Sequence, residues 1–235
     1  MEFPPGRLTS LRRNPILYAV ERIKAAVITE AGGAHLNHYF ASLAQAEEVG
    51  SVVLCDRSRE SEPLARKALG QKLATVYQDP AEMLRNEKPT LALVSMEAVN
   101  SPPAIDAALD AGCHVLAEKP ACVRVEDFEK LNRKAKARNL YLLLALANRV
   151  DPIMLQVRGL IAEGKIGKVY GLEVHIIADQ TRLTRPSYHA SWVARKARAG
   201  GGQLIYEGIH WLDLTMYLAG SRVEAVTGFT ANVGG

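Results

Sequence analysis

The stretch Ala111-Gly112-Cys113-His114-Val115-Leu116-Ala117-Glu118-Lys119-Pro120 sets an acid and a base side by side. A helical run from Pro103 to Ala111 ends at Gly112, a residue suited to the left-handed close of a helix. His114 to Ala117 is short and apolar with a β-branched residue, which predicts a strand. Pro120 lacks the N–H that a ladder needs, so the strand stops there. Glu118 and Lys119 then stand at the carboxyl end of a strand. In open α/β sheets that is where ligands bind. A solvated Glu-Lys pair on a loop would carry the same tripeptide, so its meaning depends on the surrounding elements.

A second group lies upstream. The apolar run Ile23 to Thr29 predicts a strand, followed by Glu30-Ala31-Gly32-Gly33-Ala34-His35 and a helix to about Glu48. Ser51 to Asp56 predicts the next strand, ending in a carboxylate. Strand, glycine turn, helix, strand and Asp is the order of a dinucleotide site. Backbone N–H groups at the helix start face a pyrophosphate. A glycine admits it because no Cβ intervenes. A carboxylate about 20 residues further on accepts from the adenosine ribose. A full G-x-G-x-x-G needs glycine at 30, 32 and 35, and the chain has Glu30, Gly32 and His35. Gly33 stands beside the central glycine. From the loop alone, a plain βα turn and a cofactor site both remain open.

Composition bounds the possibilities. The chain has 235 residues, 48% hydrophobic, which suits one large domain or two small ones. Twenty-nine basic and 25 acidic residues leave a net charge of +4, scattered rather than clustered. That argues against nucleic acid as a partner and suits small anions. Cys55, Cys113 and Cys122 form no CxxC pair and are expected as reduced thiols in the cytoplasm. No run of 18 apolar residues is present, so no membrane span is expected.

The elements that must position these groups alternate. Residues 1–22 are Pro-rich and then basic, an extension with one short helix at most. Ser58 is a candidate N-cap for a helix through Ala68. Leu73 to Tyr77 predicts strand three, and Asp79-Pro80 opens a helix to about Arg85. Thr90 to Ser95 predicts strand four, and Ser101-Pro102-Pro103 opens a helix with Pro in its first turn. Strand five is 114–117. A helix from Val125 to Ala137 precedes strand six, Asn139 to Ala145. Six strands alternating with helices imply a doubly wound parallel sheet, in the Rossmann order 3-2-1-4-5-6. After residue 148 the pattern changes. A helix runs from about Asp151 to Ala162, a strand is predicted at 168–178, a long polar loop at 179–199, a helix to Leu218 and a strand at 222–231. The division is an extension (1–22), a dinucleotide-binding domain (23–148) and an incomplete α+β domain with an open sheet (149–235).

Four blocks in order carry a resemblance. They are residues 111–120; Asn148-Arg149-Val150-Asp151-Pro152; Leu160 to Val169; and Gly200-Gly201-Gly202 followed by Gly208-Ile209-His210-Trp211-Leu212-Asp213. Together they resemble the glucose–fructose oxidoreductase, inositol dehydrogenase and MocA (Gfo/Idh/MocA) family over roughly residues 23–232. The resemblance implies a Rossmann domain followed by an open-sheet α/β domain. It implies NAD or NADP as cofactor, a sugar-like or polyol substrate and a homo-oligomer joined through the second sheet. A short back sheet with bare edges points to the same assembly.

The resemblance assigns Lys119 and His210 to catalysis, and Tyr206, one turn before His210, is expected to orient it. Gly32, Gly33, Asp56, Arg57, Glu118, Lys119 and Asn148 are expected at the cofactor, and Arg149, Trp192 and Asp213 at the substrate. No metal is expected, since His189 and His210 lack ligand spacing. Hydride leaves a carbinol carbon only as its hydroxyl proton leaves, so a base must reach that oxygen. An ammonium beside a positive nicotinamide is disfavoured, which suits Lys119 to the task. The substrate is expected in the cleft between the domains. The family commonly carries an acid four residues before the histidine, and here that position is Tyr206, with Glu207 next to it. Glu97-Ala98 replaces the usual Pro-Asn after strand four. The competing assignment is a non-catalytic cofactor- or ligand-binding protein on the same fold.

Overall fold

The computed structural model describes residues 21–177, 181–229 and 231. The expected short helix in the N-terminal extension lies outside the described residues. By packing, the described residues divide into two compact units: 21–145 with 181–206, and 146–177 with 207–229. The first unit therefore includes a segment that follows the expected domain boundary by some 30 residues.

In the first unit, β1 (Ile23–Thr29), β2 (Val49–Asp56), β3 (Leu73–Tyr77), β4 (Leu91–Ser95), β5 (His114–Ala117) and β6 (Leu142–Leu144) form one parallel sheet. Its order is β3-β2-β1-β4-β5-β6, as the right-handed crossover rule requires. The helices are α1 (Leu36–Gln45), α2 (Glu62–Leu69), α3 (Pro80–Glu87), α4 (Ser101–Asp110) and α5 (Val125–Ala137). The period of two in each strand divides the core. Ala25, Val27, Val52 and Leu54 pack with Phe40 and Leu69 on one face. Ala26, Ile28, Val53 and Val94 pack with Met83, Ile105 and Leu131 on the other. Both faces are covered by helices, which is why these strands read as continuous apolar runs.

Three local expectations are corrected. Ser58 does not cap α2. The helix starts at Glu62 after Ser61, and both serines turn back onto Asp56. Strand six is only Leu142–Leu144, because Asn139 takes a left-handed turn (φ 56) that delays the ladder. The segment after residue 180 is not an open loop. It folds as turns at Thr181–Thr184 and Trp192–Ala194 with α7 (Pro186–Ala190), α8 (Lys196–Ala199) and α9 (Gln203–Tyr206).

The second unit holds α6 (Pro152–Ala162) and α10 (Gly208–Ala219), with a 3₁₀ turn at Ala147–Val150. Asp151 caps α6, accepting from the N–H groups of Ile153 and Met154 at 2.9 and 3.2 Å. The single helix expected from residue 203 to 218 is two, interrupted at Glu207 (φ −109, ψ −42). The strands expected at 168–178 and 222–231 do not form. Residues 168–177 and 222–229 lie outside helix and strand. Alternation supplies a strand's two faces, but the ladder also needs a partner, and none pairs with these segments among the described residues. Leu172, Val174 and Ile176, which alternate along the first segment, are exposed.

Phe40 is fully buried on the α1 side of the sheet. Replacing it with Ala is expected to lower stability by about 3–5 kcal/mol through lost burial and a residual cavity. Urea unfolding followed by circular dichroism checks this, and a loss near zero would show the site collapsing without penalty.

Candidate functional site

The order reverses between β1 and β4, so loops on either side of that pair leave in opposite directions and open a crevice at the strand ends. The β1–α1 loop lies there. Thr29 Oγ1 donates to Ser95 O across the pair at 2.7 Å, and Ser95 Oγ donates to Ala34 O at 2.8 Å. These bonds draw the loop tightly onto the sheet. A Cβ at Gly33 would lie 2.1 Å from Thr29 Oγ1 and 3.0 Å from Ser95 O, so glycine is required by space. At Gly32 (φ 75) a Cβ would meet nothing within 4 Å, so that loop surface is open. Gly32, Gly33, His35, Asn37, Glu60 and Ser61 line a cleft of about 330 Å³. The α1 N-terminus faces it with first-turn N–H groups that have no partner within the helix. Glu30 also lines it, but its carboxylate is bound elsewhere. It accepts from Glu97 N–H at 2.7 Å and from the Asn100 amide at 2.9 Å. The phosphate end of a dinucleotide therefore fits these residues.

Asp56, expected at the ribose end, is fully buried. One oxygen accepts from Ser58 N and Oγ at 2.9 and 2.7 Å. The other accepts from Ser61 N and Oγ at 2.9 and 2.6 Å. Burial alone would raise its pKa. The donors of Ser61 and Ser58 outweigh that and hold it below the ordinary carboxylate value. Asp56 thus anchors the β2–α2 loop, and Arg57 and Ser58 follow it at the surface.

At the end of β5, Glu118 and Lys119 are both buried. Glu118 Oε1 accepts the Lys119 N–H at 2.9 Å. Its other oxygen accepts the Tyr39 hydroxyl and lies 3.2 Å from His35 Nδ1. The carboxylate of Glu118, expected at the cofactor, is enclosed by these groups. Burial and then the bond to Glu118 push the Tyr39 phenol far above its usual pKa, so it serves only as a donor. Lys119 Nζ donates to Tyr206 O at 3.0 Å and sits 4.1 Å from the centre of the Tyr206 ring. Trp192 meets that ring edge-on at 6.3 Å. Lys119, Tyr206 and Trp192 are thus brought together, although Tyr206 belongs to α9 rather than to the helix that carries His210.

In the second unit, Asn148 and Arg149 occupy the 3₁₀ turn and His210 the first turn of α10. Arg149 and Asp213, expected at the substrate, hold each other in a two-pronged pair, one arm at 2.5 Å, which ties the turn to α10. Arg149 also lies 5.2 Å from the Tyr217 ring.

Sequence reasoning passed over His35, Tyr39, Ser61 and Arg198. Arg198 pairs with Glu97 and joins α8 to the β4–α4 loop. The missing third glycine drew notice to position 35, but nothing local pointed to Glu118 as its partner.

Two family descriptions match the chain. "Oxidoreductase family, NAD-binding Rossmann fold" covers residues 23–145, and "GFO/IDH/MocA C-terminal domain" covers residues 154–235. D-glucoside 3-dehydrogenase of Escherichia coli is 31% identical over 172 residues, 72% of this chain and 46% of the relative. Levoglucosan dehydrogenase of Pseudarthrobacter phenanthrenivorans is 30% identical over 51% of this chain and 31% of the relative. Among solved structures, scyllo-inositol dehydrogenase from Lactobacillus casei, with bound NAD(H) and scyllo-inositol, has a TM-score of 0.71 at 21% identity. It covers 85% of this chain and 56% of that one. An oxidoreductase domain protein from Kribbella flavida has a TM-score of 0.71 at 27% identity, covering 86% and 54%. The chain spans about half the length, or less, of these proteins.

A depressed carboxylate stabilises the fold above its unfolded pKa, about 3.9 for Asp, and that stability is lost as pH falls through the folded value. The Asp56→Asn variant is therefore expected to be less stable than wild type at neutral pH, with the gap closing on acidification. Urea midpoints measured from neutral pH down to about pH 3 check this. A gap that stays constant would mean that Asp56 is not the titrating group.

Proposed function

Because the chain belongs to the Gfo/Idh/MocA oxidoreductase family, we propose that it is an NAD(P)-dependent dehydrogenase acting on a hydroxyl-bearing carbon of a sugar, polyol or related alcohol. The observation that carries this is the buried Lys119 at the end of β5, next to the reversal of strand order. The names of the glucoside and levoglucosan relatives support the substrate class.

When bound, the nicotinamide gives or takes the hydride. The chain's part is to move the proton. Lys119 Nζ has three hydrogen positions, and Tyr206 O fixes one of them. In this assignment Lys119 takes and returns the hydroxyl proton of the substrate. The Tyr206 ring lies beneath Nζ and holds the amine in place between turnovers. His210 is assigned to share that proton step, on the strength of its position in the Gly-x-His block. Gly32, Gly33 and the α1 N-terminus are assigned to the diphosphate, with Arg57 and Ser58 beside the adenosine ribose and Asn148 near the nicotinamide half.

Cofactor preference follows from Asp56. A carboxylate free at this point would accept from a ribose diol and repel a 2′-phosphate. With Asp56 enclosed and Arg57 at the surface, the chain is assigned both NAD and NADP. The three unpaired cysteines suit a reducing cytoplasm. Tyr170, Leu172, Val174 and Ile176 form an exposed apolar run on a segment without a ladder, and we assign them to a homo-oligomer contact.

Three measurements test these assignments. Fluorescence titration is expected to give NADH and NADPH affinities within about tenfold of each other. A preference for NADH above that range would restore Asp56 to the ribose. Lys119→Ala and His210→Ala are each expected to lower turnover on a sugar or polyol substrate about 10²-fold, with NADH affinity little changed in His210→Ala. Normal turnover by both variants would remove Lys119 and His210 from the proton step, and a wild-type chain that binds NADH but turns over no such substrate would favour a non-catalytic binding protein on the same fold. Sedimentation is expected to show association that Val174→Glu weakens, and a monomer at all concentrations would remove the oligomer assignment.

A further inference from the structure

Position 35 is where a dinucleotide loop usually has its third glycine, which allows helix and strand to pack closely. Here His35 occupies it with a left-handed backbone (φ 56). Side chains adopt that conformation seldom, and it persists where surrounding contacts fix it. The fixing contact is Glu118. His35 Nδ1 lies 3.2 Å from Glu118 Oε2, and Glu118 is 4% exposed. The same oxygen takes the Tyr39 hydroxyl, and the other takes the Lys119 N–H at 2.9 Å. Tyr39 is a neutral donor, so the anion of this cluster is the carboxylate.

The consequence for the imidazole is geometric. Nδ1 must carry hydrogen to bond a carboxylate, so the Nε2 edge is left for the other side of the ring. His35 lines the cleft wall with Gly32, Gly33, Asn37 and Ser61, half exposed to solvent. The other charged groups here are Glu60 and Glu30, the latter bonded to the β4–α4 loop. His38 stands with its ring 6.4 Å from that of His35. An anion in the cleft would place the ring between two negative groups, the buried carboxylate and the ligand.

We infer that His35 is an anion-binding residue of this cleft, bridging buried Glu118 to the diphosphate of the bound dinucleotide in place of the missing glycine. The inference rests on the cofactor reading above. Glu118 acts through His35 as a positioning residue. A charge-assisted N–H···O bond to phosphate is about twice as strong as a neutral one, so its loss should be visible in affinity.

The test is calorimetric titration of the purified chain and His35→Asn with NADH, ADP and adenosine. Asn tolerates a left-handed backbone, so the variant removes the ring N–H donors and spares the turn. The expected result is about tenfold weaker binding of NADH and ADP by His35→Asn, with adenosine unchanged. His35→Gly, which also suits this backbone, is expected to show the same loss and serves if the Asn variant does not fold. Equal affinity of wild type and variants for NADH and ADP would overturn the assignment. An equal loss for adenosine would overturn it too, by showing a structural role. A wild-type chain that binds neither NADH nor ADP would overturn this assignment together with the cofactor reading.

Discussion

Parallel pairing of β1 with β4 is the constraint on which the rest of the first unit depends. Five aligned pairs, from Ala25 with Leu91 to Thr29 with Ser95, join strands that are far apart in sequence. In the strand order, β2 and β3 extend one way from this pair and β5 and β6 the other. The loops after β1 and β4 are thereby driven apart, and the crevice at their ends follows from topology. Thr29 Oγ1 bonded to Ser95 O closes the base of that crevice, and Gly33 has no room for a side chain because of it.

Three carboxylates near the crevice show how burial assigns work to a single chemical group. Asp56 is enclosed by hydroxyl and N–H groups of its own loop. Glu30 reaches across to the β4–α4 loop, so two loops on opposite sides of the reversal share one anion. Glu118 gathers Tyr39, His35 and the Lys119 backbone. A carboxylate drawn out of water needs several donors, and each of these recruits them from a different element. The donors are what fix loop shape, and loop shape in turn is what presents Lys119 and the glycines.

The segment 181–206 completes this unit from later in the chain. Arg198 pairs with Glu97, where the resemblance leads one to expect Pro-Asn, and Tyr206 meets Lys119 through both its carbonyl and its ring. The departures at 97 and 206 are thus not isolated substitutions. Each is one half of a contact that seats this segment on the dinucleotide-binding unit.

The sequence by itself determined the alternation of strands and helices, the strand order, the glycine loop and the Glu-Lys end of β5. These rest on short-range regularities: a period of two in a strand, a proline that cannot join a ladder, a glycine where the chain must turn. Tertiary structure alone decided where the polar groups point. Glu30 finds Glu97 67 residues away, His35 finds Glu118 after 83, and Lys119 finds Tyr206 after 87. No local pattern encodes such partners, because a buried charge is satisfied by whatever donors the packed elements bring to it. The same limit misled the expectation at 168–177. Alternation gives the faces a strand would have, but a strand exists only where another lies beside it, and that is a property of the assembled fold.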